Sequence, residues 1–337
     1  MGLQDNGLRL VGDKTAPNHR YAYVTFLMRN DSFLPGALVL AYALRTMGTS
    51  ADIVCLVTRE ISCPAKSALS LLFDKVIAIE EVTVPHPMRQ KRQDRPFLFT
   101  RFAGLLLGKN GGLGEEYDKI IMMDADVLPL RCYDRLFAVE APAGILNEKK
   151  EHWVDASDGR YRVPDDADIK GWGWHRRYEG VCPHGTVIPQ AITDSVKTDV
   201  SNMGVNAALW VLRPDKQVFD ELIAAARQDE MLPKYPWPEM QFATGFFSGR
   251  WHNIDIRYGS IGGYPFLSAL FGTHFAGLKP WSMEKPSVCT YAKYEDFQCW
   301  YATFLAMVSV WLELLQIPRL QKLRRFILEN VFGGEMR

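Results

Sequence analysis

The sequence lacks an excess of charge of either sign, because Lys plus Arg and Asp plus Glu each number 39 and the formal net charge is zero. A nucleic-acid-binding protein that relies on bulk positive charge is therefore not expected. The same balance gives no support to strong adsorption on anionic membranes. What the 337 residues offer instead is a hydrophobic content of 47%, which suffices for one large domain or two medium ones.

Sequence motifs of secreted proteins are also missing. The six cysteines form no close Cys-x-x-Cys pair and no zinc-site spacing, which favours a reduced compartment. Residues 1–18 read as a polar leader without the apolar segment that a signal peptide needs. These absences predict a cytoplasmic protein.

A Gly-rich phosphate loop is missing after the first predicted strand, residues 21–28, where the chain reads Arg29-Asn-Asp-Ser32. The absence of Gly-x-Gly-x-x-Gly counts against a dinucleotide fold of the NAD type. It also counts against a nucleotidylyltransferase, which is expected to carry a Gly-rich, basic loop at this point.

Strand and helix patterns alternate through the first 130 residues. Strand-forming runs at 21–28, 53–57, 75–79 and 120–123 are separated by helical patterns at 34–47, 64–73 and 99–107. This order predicts an α/β domain with a parallel, Rossmann-like sheet and helices on both faces. A further strand is predicted at 203–212 and a further helix at 214–227.

Residues 147–198 interrupt this alternation and are dense in charge, Gly, Trp and Pro. We expect an irregular insertion that acts as a lid or a binding loop, because long loops in compact domains are usually functional. Trp153, Trp172 and Trp174 either stack on a sugar there or pack the loop itself.

The end of the chain, residues 291–337, is predicted to be a helical segment. Its apolar run at 300–312 is too short to span a bilayer, which needs roughly 20 residues. Residues 320–328 are apolar at helical spacing and basic between. The segment 300–328 therefore either packs on the domain or makes a peripheral membrane or protein contact.

The most informative stretch is Asp124-Ala-Asp126, which directly follows the apolar run 120–123. In open α/β sheets ligands bind outside the carboxyl ends of the strands. Two oxygen ligands separated by one residue suit Mg²⁺ or Mn²⁺ and leave coordination positions for a diphosphate. A solvated acidic turn is the alternative for this motif taken alone.

A second motif, Thr273-His-Phe-Ala-Gly-Leu-Lys-Pro-Trp281, supplies the groups that such a site needs. His274 can complete the metal site through an imidazole nitrogen. Gly277 allows close backbone approach to a diphosphate, and Lys279 would neutralise a leaving nucleotide. Taken singly, His274 would be a core histidine and Lys279 a solvated charge; their order after Asp124 and Asp126 favours the joint site.

The order of these motifs over roughly residues 21–282 resembles the glycogenin-like, retaining glycosyltransferases of family 8. The resemblance implies a GT-A nucleotide-sugar fold over residues 19–290, with a mixed, mostly parallel central sheet flanked by helices. It also implies Mn²⁺ or Mg²⁺ as cofactor and a UDP-sugar as donor substrate.

The resemblance further implies roles for individual residues. Donor-substrate contacts are expected at Thr25, Phe33, Asp124, Ala125, Asp126, Asn202, Gly204, His274, Gly277 and Lys279, with Asp124, Asp126 and His274 as metal ligands. Of these, Thr25 and Phe33 would lie near the uridine and Asn202 near the donor sugar. Arg101 is expected near the phosphates, as part of the catalytic group.

The catalytic carboxylate is where the chain departs from the family pattern. The family usually has an acidic-Gln-Gly stretch, but here Glu239 replaces the usual Asp and Met240 stands where Gln is expected. Glu239 then lies near the anomeric carbon, orients the acceptor, or is simply a helix N-terminal residue favoured by the helix dipole. Gln241, one position later, would fill the role of the amide.

Together these features predict a metal-dependent retaining glycosyltransferase that moves a hexose from a UDP-sugar, with UDP-glucose and UDP-galactose favoured, to a hydroxyl of a glycan, lipid or polyol. A glycogen primer is disfavoured, because nothing matches the self-glucosylated tyrosine region of glycogenin. The alternative is a catalytically impaired UDP-sugar-binding partner module, given Met240. A homodimer is left open.

Overall fold

A seven-stranded sheet forms the centre of the molecule. The computed structural model of the protein describes residues 20–85, 95–146, 154–155, 161–162, 182–263 and 267–333. The described residues form three sheets in all. Their strands are β1 (Tyr21–Leu27), β2 (Asp52–Val57), β3 (Lys75–Ala78), β4 (Lys119–Met123), β5 (Val127–Pro129), β6 (Ala143–Leu146), β7 (Val154–Asp155), β8 (Tyr161–Arg162), β9 (Val205–Leu212), β10 (His252–Asn253), β11 (Ser260–Ile261) and β12 (Gly272–His274).

Helices cover this sheet. The α-helices are α1 (Leu34–Thr46), α2 (Cys63–Leu72), α3 (Gln190–Asp194), α4 (Lys216–Gln228), α5 (Pro238–Phe246), α6 (Ser287–Tyr291), α7 (Glu295–Val310) and α8 (Pro318–Asn330), and a long 3₁₀ helix spans Arg95–Leu107. None of the helices in the described part of the chain has the length and apolarity that crossing a membrane requires.

The strand order across the large sheet is β10-β6-β9-β4-β1-β2-β3. Among these strands only β9 runs antiparallel to its neighbours, β4 and β6. Every residue of β4 and β9 is buried, as expected for central strands with helices on both faces. The predicted mixed, mostly parallel sheet flanked by helices is confirmed.

Alternate residues of each central strand enter two different cores. Tyr23 and Ile121 pack into a cluster formed with α1, α2 and the C-terminal helices. Their neighbours Val24 and Met122 pack into the opposite cluster, formed with the long 3₁₀ helix, α4 and α5. Because side chains alternate along a strand, the continuous apolar sequence feeds both layers. The predicted C-terminal helical segment thus packs on the same core as β1 and β4.

Backbone conformation explains two strand boundaries that differ from the sequence-based expectation. β1 ends at Leu27 rather than at residue 28, and Arg29 shortly after it has a left-handed φ of 67°. β9 begins at Val205 rather than at residue 203, because Gly204 has a φ of 68° that no strand residue adopts.

Parts of the predicted organisation lie outside the described residues. These parts are the leader 1–18 and most of the insertion 147–198, including Trp153, Trp172 and Trp174. Within the described part of the insertion, β7 pairs with β8 in antiparallel fashion, and α3 is followed by a short 3₁₀ turn, Ser195–Lys197.

Candidate active site

The turn between β4 and β5 carries Asp124 and Asp126. The Asp124 amide donates to the Ala208 carbonyl of β9 over 3.0 Å, and the Val127 amide donates to the Asp124 carbonyl over 3.0 Å, which closes the turn. Both carboxylates therefore emerge at the C-terminal end of a fully buried strand. This is the edge of the sheet at which ligands bind in open α/β folds.

A second sheet of three strands brings His274 to this turn. In it β12 pairs antiparallel with β5, so that His274 lies opposite Val127. The amide of Phe275 donates to the Asp126 carbonyl over 2.9 Å. The pairing thus fixes the end of β12 beside the acidic turn.

Asp124, Asp126 and His274 form a candidate metal site. One ligand atom from each lies within 4.8 Å of the others. His274 Nε2 is 3.4 Å from Asp126 Oδ1, and this buried oxygen accepts no hydrogen bond. The two carboxylates suit Mn²⁺ or Mg²⁺, and the imidazole nitrogen favours the transition metal Mn²⁺, so these residues fit a divalent cation.

Lys279 reaches into the same cluster. Its ammonium group forms an ion pair with Asp126 Oδ2 and donates to the Phe275 carbonyl. Burial alone would raise the pKa of Asp126, but the charges of Lys279 and His274 outweigh it and hold that pKa well below its usual range. Asp126 is therefore an anion in the folded protein.

Asp124 has a different electrostatic environment from Asp126. Burial raises the pKa of Asp124, the Arg101 guanidinium opposes this increase, and the neighbouring charge of Asp126 adds to it, so that the pKa stays above the ordinary value. A bound cation would favour the ionised form of this carboxylate.

Arg101 links the acidic turn to α5. Its Nη2 lies 2.5 Å from Asp124 Oδ1, while Nη1 donates to the Ala207 carbonyl over 3.0 Å and lies 3.9 Å from Glu239 Oε1. The guanidinium is buried and stacks near the rings of Phe26 and Trp210. Arg101 thus contacts the acidic turn directly; a contact with phosphates stays a prediction.

Glu239 and Gln241 both lie on α5, but the structure uses them differently. Glu239 is buried in the first turn and faces Arg101. The Gln241 amide is fully buried: its oxygen accepts from the Trp237 amide over 2.9 Å, and its nitrogen donates to the carbonyls of Val200 (2.8 Å) and Asn202 (2.7 Å). Gln241 thus braces the loop before β9, and a catalytic role for either residue stays a prediction.

The loop that Gln241 braces contains Asn202 and Gly204. The Asn202 side chain accepts from the Gly204 amide over 2.9 Å and donates to Ser195 Oγ over 2.7 Å. A Cβ at Gly204 would lie 2.4 Å from Thr244 Oγ1, so only glycine fits this left-handed position against α5. Their contact with a donor sugar stays a prediction.

Phe33 and Thr25, the two residues predicted to lie near the uridine, differ in their exposure to solvent. Phe33 is 39% exposed, meets the Trp281 ring edge-on at 5.7 Å between centroids, and lies 5.8 Å from Lys279 Nζ. Thr25 is buried in β1, and its Oγ1 makes no hydrogen bond. Gly277 lines a cleft that it shares with His274.

Gly36 is a residue that the sequence-based reasoning missed. It lies in the first turn of α1, and a Cβ there would be 2.3 Å from the Ala125 carbonyl oxygen and 2.4 Å from the Trp281 ring. Glycine inside a helix costs about 1 kcal/mol relative to alanine, so its presence in a predicted helix signals close packing. Gly36 lets α1 pack against both site motifs.

We expect Gly36→Ala to weaken Mn²⁺ binding by about tenfold and to lower the free energy of unfolding by about 1–3 kcal/mol, the usual cost of overpacking. The new methyl group must displace the carbonyl of Ala125, the residue between Asp124 and Asp126. Titration calorimetry and urea unfolding measure the two effects. Gly245→Ala is the matched control, because its nearest neighbour is the flexible Lys197 Cε at 3.2 Å. Equal Mn²⁺ affinity in the two variants would contradict the packing role.

Comparisons with known proteins give relatives that share parts of this chain. No family model matches it. The chain is 26% identical over 239 residues to an uncharacterized protein of Acanthamoeba polyphaga mimivirus, with 71% of each chain aligned. It is 38% identical over 112 residues to glycogenin of Neurospora crassa, which covers 33% of this chain and 16% of that protein.

A plant relative aligns along most of the chain. UDP-glucuronate:xylan alpha-glucuronosyltransferase 2 of Arabidopsis thaliana is 31% identical over 304 residues, which are 90% of this chain and 42% of that protein. The chain therefore spans less than half of the length of either the fungal or the plant relative.

The fold has a counterpart among solved structures. An active-site mutant of LgtC superposes with a TM-score of 0.51 at 12% sequence identity, over 83% of this chain and 94% of that one. A likeness at this identity concerns the fold, and it supports the GT-A architecture that the motif order implies.

Proposed function

We propose that this chain, which belongs to the glycogenin-like glycosyltransferases of family 8, transfers a hexose from a UDP-sugar to an acceptor hydroxyl with a divalent cation as cofactor. The observation that carries the proposal is the cluster of Asp124, Asp126 and His274, with Lys279 in contact with it. A diphosphate needs a cation and a positively charged side chain at one place, and this cluster offers both.

The chemistry that a divalent cation supplies when bound here is stabilisation of the negative charge that develops on the departing UDP. The chain's own residues prepare the site for it. Asp126 stays ionised, and Arg101 holds the Asp124 carboxylate in place through a direct ion pair. Lys279 carries a positive charge on a side chain long enough to move from Asp126 to a phosphate oxygen.

Glu239 is the carboxylate that we place closest to the transferred sugar. It lies on α5, whose residue Gln241 fixes the carbonyl of Asn202 in the predicted sugar-contact loop. Arg101 lies between Glu239 and Asp124, so that the metal-binding turn and α5 are positioned by one side chain. Retention of the anomeric configuration follows from the family and not from these contacts.

The names of the relatives support the substrate classes. One relative is named for UDP-glucuronate and xylan, which supports a UDP-sugar donor and a glycan acceptor. Others are named galactinol synthases. Within this range we propose UDP-glucose or UDP-galactose as the donor, and a glycan, lipid or polyol as the acceptor.

A panel of UDP-sugars tests the function. We expect UDP release from one or two of them in the presence of Mn²⁺, with at least about a hundredfold loss in EDTA, the scale on which such electrostatic stabilisation acts. Coupled UDP detection measures the rate, and mass spectrometry of added glycans, lipids and polyols identifies the acceptor. The same background rate with every UDP-sugar would contradict a transferase.

A UDP-sugar-binding module without turnover is the second candidate, and one observation favours it. The Gln241 amide already makes three hydrogen bonds to the backbone, and Met240 stands where the family has Gln, so α5 offers no amide to the donor sugar from these two positions. Binding of a UDP-sugar with Mn²⁺, without UDP release under any acceptor, would identify this alternative.

Two further predictions concern partners. The exposed apolar side chains of Val310 (57%), Leu312 (65%) and Leu328 (42%) fit a peripheral membrane or protein contact through residues 300–328. Sedimentation with anionic vesicles tests this contact. The homodimer stays a prediction.

A further inference from the structure

The strongest unexplained contact of the site is the ion pair between Lys279 and Asp126. The Lys279 ammonium binds Asp126 Oδ2 and the Phe275 carbonyl at once. The side chain of Asp126 is 8% exposed and that of Lys279 is 17% exposed, so the pair is largely shielded from water. A family-type role for Lys279, neutralising a nucleotide, does not account for an ammonium group bound to a metal carboxylate.

We infer that Lys279 is an internal cation that holds Asp126 until a divalent metal displaces it, so that metal and diphosphate bind with positive cooperativity. This inference rests on the proposed function, because it concerns the same site. It gives one lysine two successive partners, first the Asp126 carboxylate and then the diphosphate.

Electrostatics make the two cations competitors. Asp126 Oδ2 is bound to the ammonium, and Oδ1 faces His274 at 3.4 Å. A divalent ion at this carboxylate would lie within a few ångströms of the ammonium, where like charges repel strongly in a water-poor environment. Metal binding alone must therefore break an existing charge-assisted hydrogen bond, which lowers the affinity for the metal.

The ammonium group released from Asp126 can bind a diphosphate nearby. Lys279 Nζ already lies 5.8 Å from the ring of Phe33, which is 39% exposed and is the residue predicted to lie near the uridine. A diphosphate beside the metal would bind the freed ammonium. Each ligand then favours the same state of Lys279, and by linkage each raises the affinity for the other.

The first experiment follows the reactivity of Lys279 and does not depend on catalysis. The protein is acetylated with an N-hydroxysuccinimide ester and the labelling rate of each lysine is measured by mass spectrometry, without metal, with saturating Mn²⁺, and with Mn²⁺ plus UDP. We expect Mn²⁺ to raise the rate at Lys279 several-fold and UDP to reverse the increase. Lys285, exposed in the same loop, is the internal control with a constant rate.

The second experiment compares Mn²⁺ affinities of Lys279→Met and Lys285→Met by electron paramagnetic resonance. Removal of the competing ammonium is expected to tighten Mn²⁺ binding without nucleotide by about tenfold, the lower end of what a hydrogen bond to a charged group contributes. UDP should tighten Mn²⁺ binding in the natural protein and much less in Lys279→Met. The Lys285→Met variant should behave like the natural protein.

The outcomes separate this inference from the function on which it rests. If Mn²⁺ binds the natural protein but leaves Lys279 labelling unchanged, or binds Lys279→Met no more tightly, the internal-cation role is wrong and the metal site stands. If Mn²⁺ at millimolar concentration binds neither protein, the metal site and the internal cation are both overturned.

Discussion

Asp126→Asn is expected to lower the rate of Mn²⁺-dependent sugar transfer by a factor of about 10²–10³, the scale on which loss of one electrostatic group acts at a charge-developing site. The substitution keeps the size of the side chain and removes its charge. In the folded protein this carboxylate is an anion that contacts both His274 and Lys279. Loss of this charge would remove a proposed metal ligand and the partner of Lys279 together.

The measurement is kcat with a saturating UDP-sugar over a range of Mn²⁺ concentrations. Glu284→Gln is the matched control, because Glu284 is an exposed carboxylate in the loop that follows the same motif. Circular dichroism checks that the variant is folded. Full Mn²⁺-dependent activity in Asp126→Asn would show that the carboxylate is not a ligand.

Arg101→Met is expected to lower the free energy of unfolding by about 3–5 kcal/mol, the usual cost of removing one partner from a buried ion pair. The Arg101 side chain is 5% exposed, and its loss removes the cation that pairs with Asp124 and lies 3.9 Å from Glu239 Oε1. The hydrogen bond to the Ala207 carbonyl is lost as well. Urea unfolding measures the change, and Arg101→Lys, which keeps the charge, should lose less.

The pH dependence of this deficit has a definite sign. In the natural protein the folded-state pKa of Asp124 already lies above its ordinary value, although Arg101 lowers it. Without Arg101 the pKa rises further, and a carboxyl with a raised pKa contributes stability at low pH that is lost as the pH rises through that value. The deficit of Arg101→Met should therefore grow as the pH rises and shrink as the pH falls. A deficit independent of pH would contradict a role for the Asp124 pair.

The sheet and the acidic turn could be predicted because their causes are local. Residues 120–123 are apolar without interruption, and β4 is indeed buried on both faces. Two carboxylates directly after such a strand must emerge at its C-terminal end. The place of His274 followed from motif order, and the pairing of β12 with β5 explains why the two motifs meet.

The contacts of Arg101 and Gln241 could not be read from the sequence, because they depend on how distant elements approach one another. Arg101 belongs to a helical pattern that gives no sign of its two carboxylate partners. Gln241 stands near the position of a family amide, but the loop before β9 uses its hydrogen bonds. The sequence motifs identified Arg101 and Gln241 as candidate site residues but did not predict the residues that they contact.

The sequence contains an indication of the close packing at Gly36, namely a glycine within a predicted helix. A glycine within the first turn of an otherwise apolar helix is unfavourable unless something packs against it. The Ala125 carbonyl and the Trp281 ring do so. The sequence contains both partners, but nothing in their spacing indicates that α1 lies between them.

We propose that Asp124, Asp126 and His274 bind the cation that holds the diphosphate of a UDP-sugar. Anomalous diffraction at the manganese edge, from crystals grown with Mn²⁺ and UDP, tests it most directly. We expect one strong anomalous peak within bonding distance of these three side chains and of the UDP phosphates. A peak elsewhere, or UDP bound with no metal beside Asp126, would contradict it.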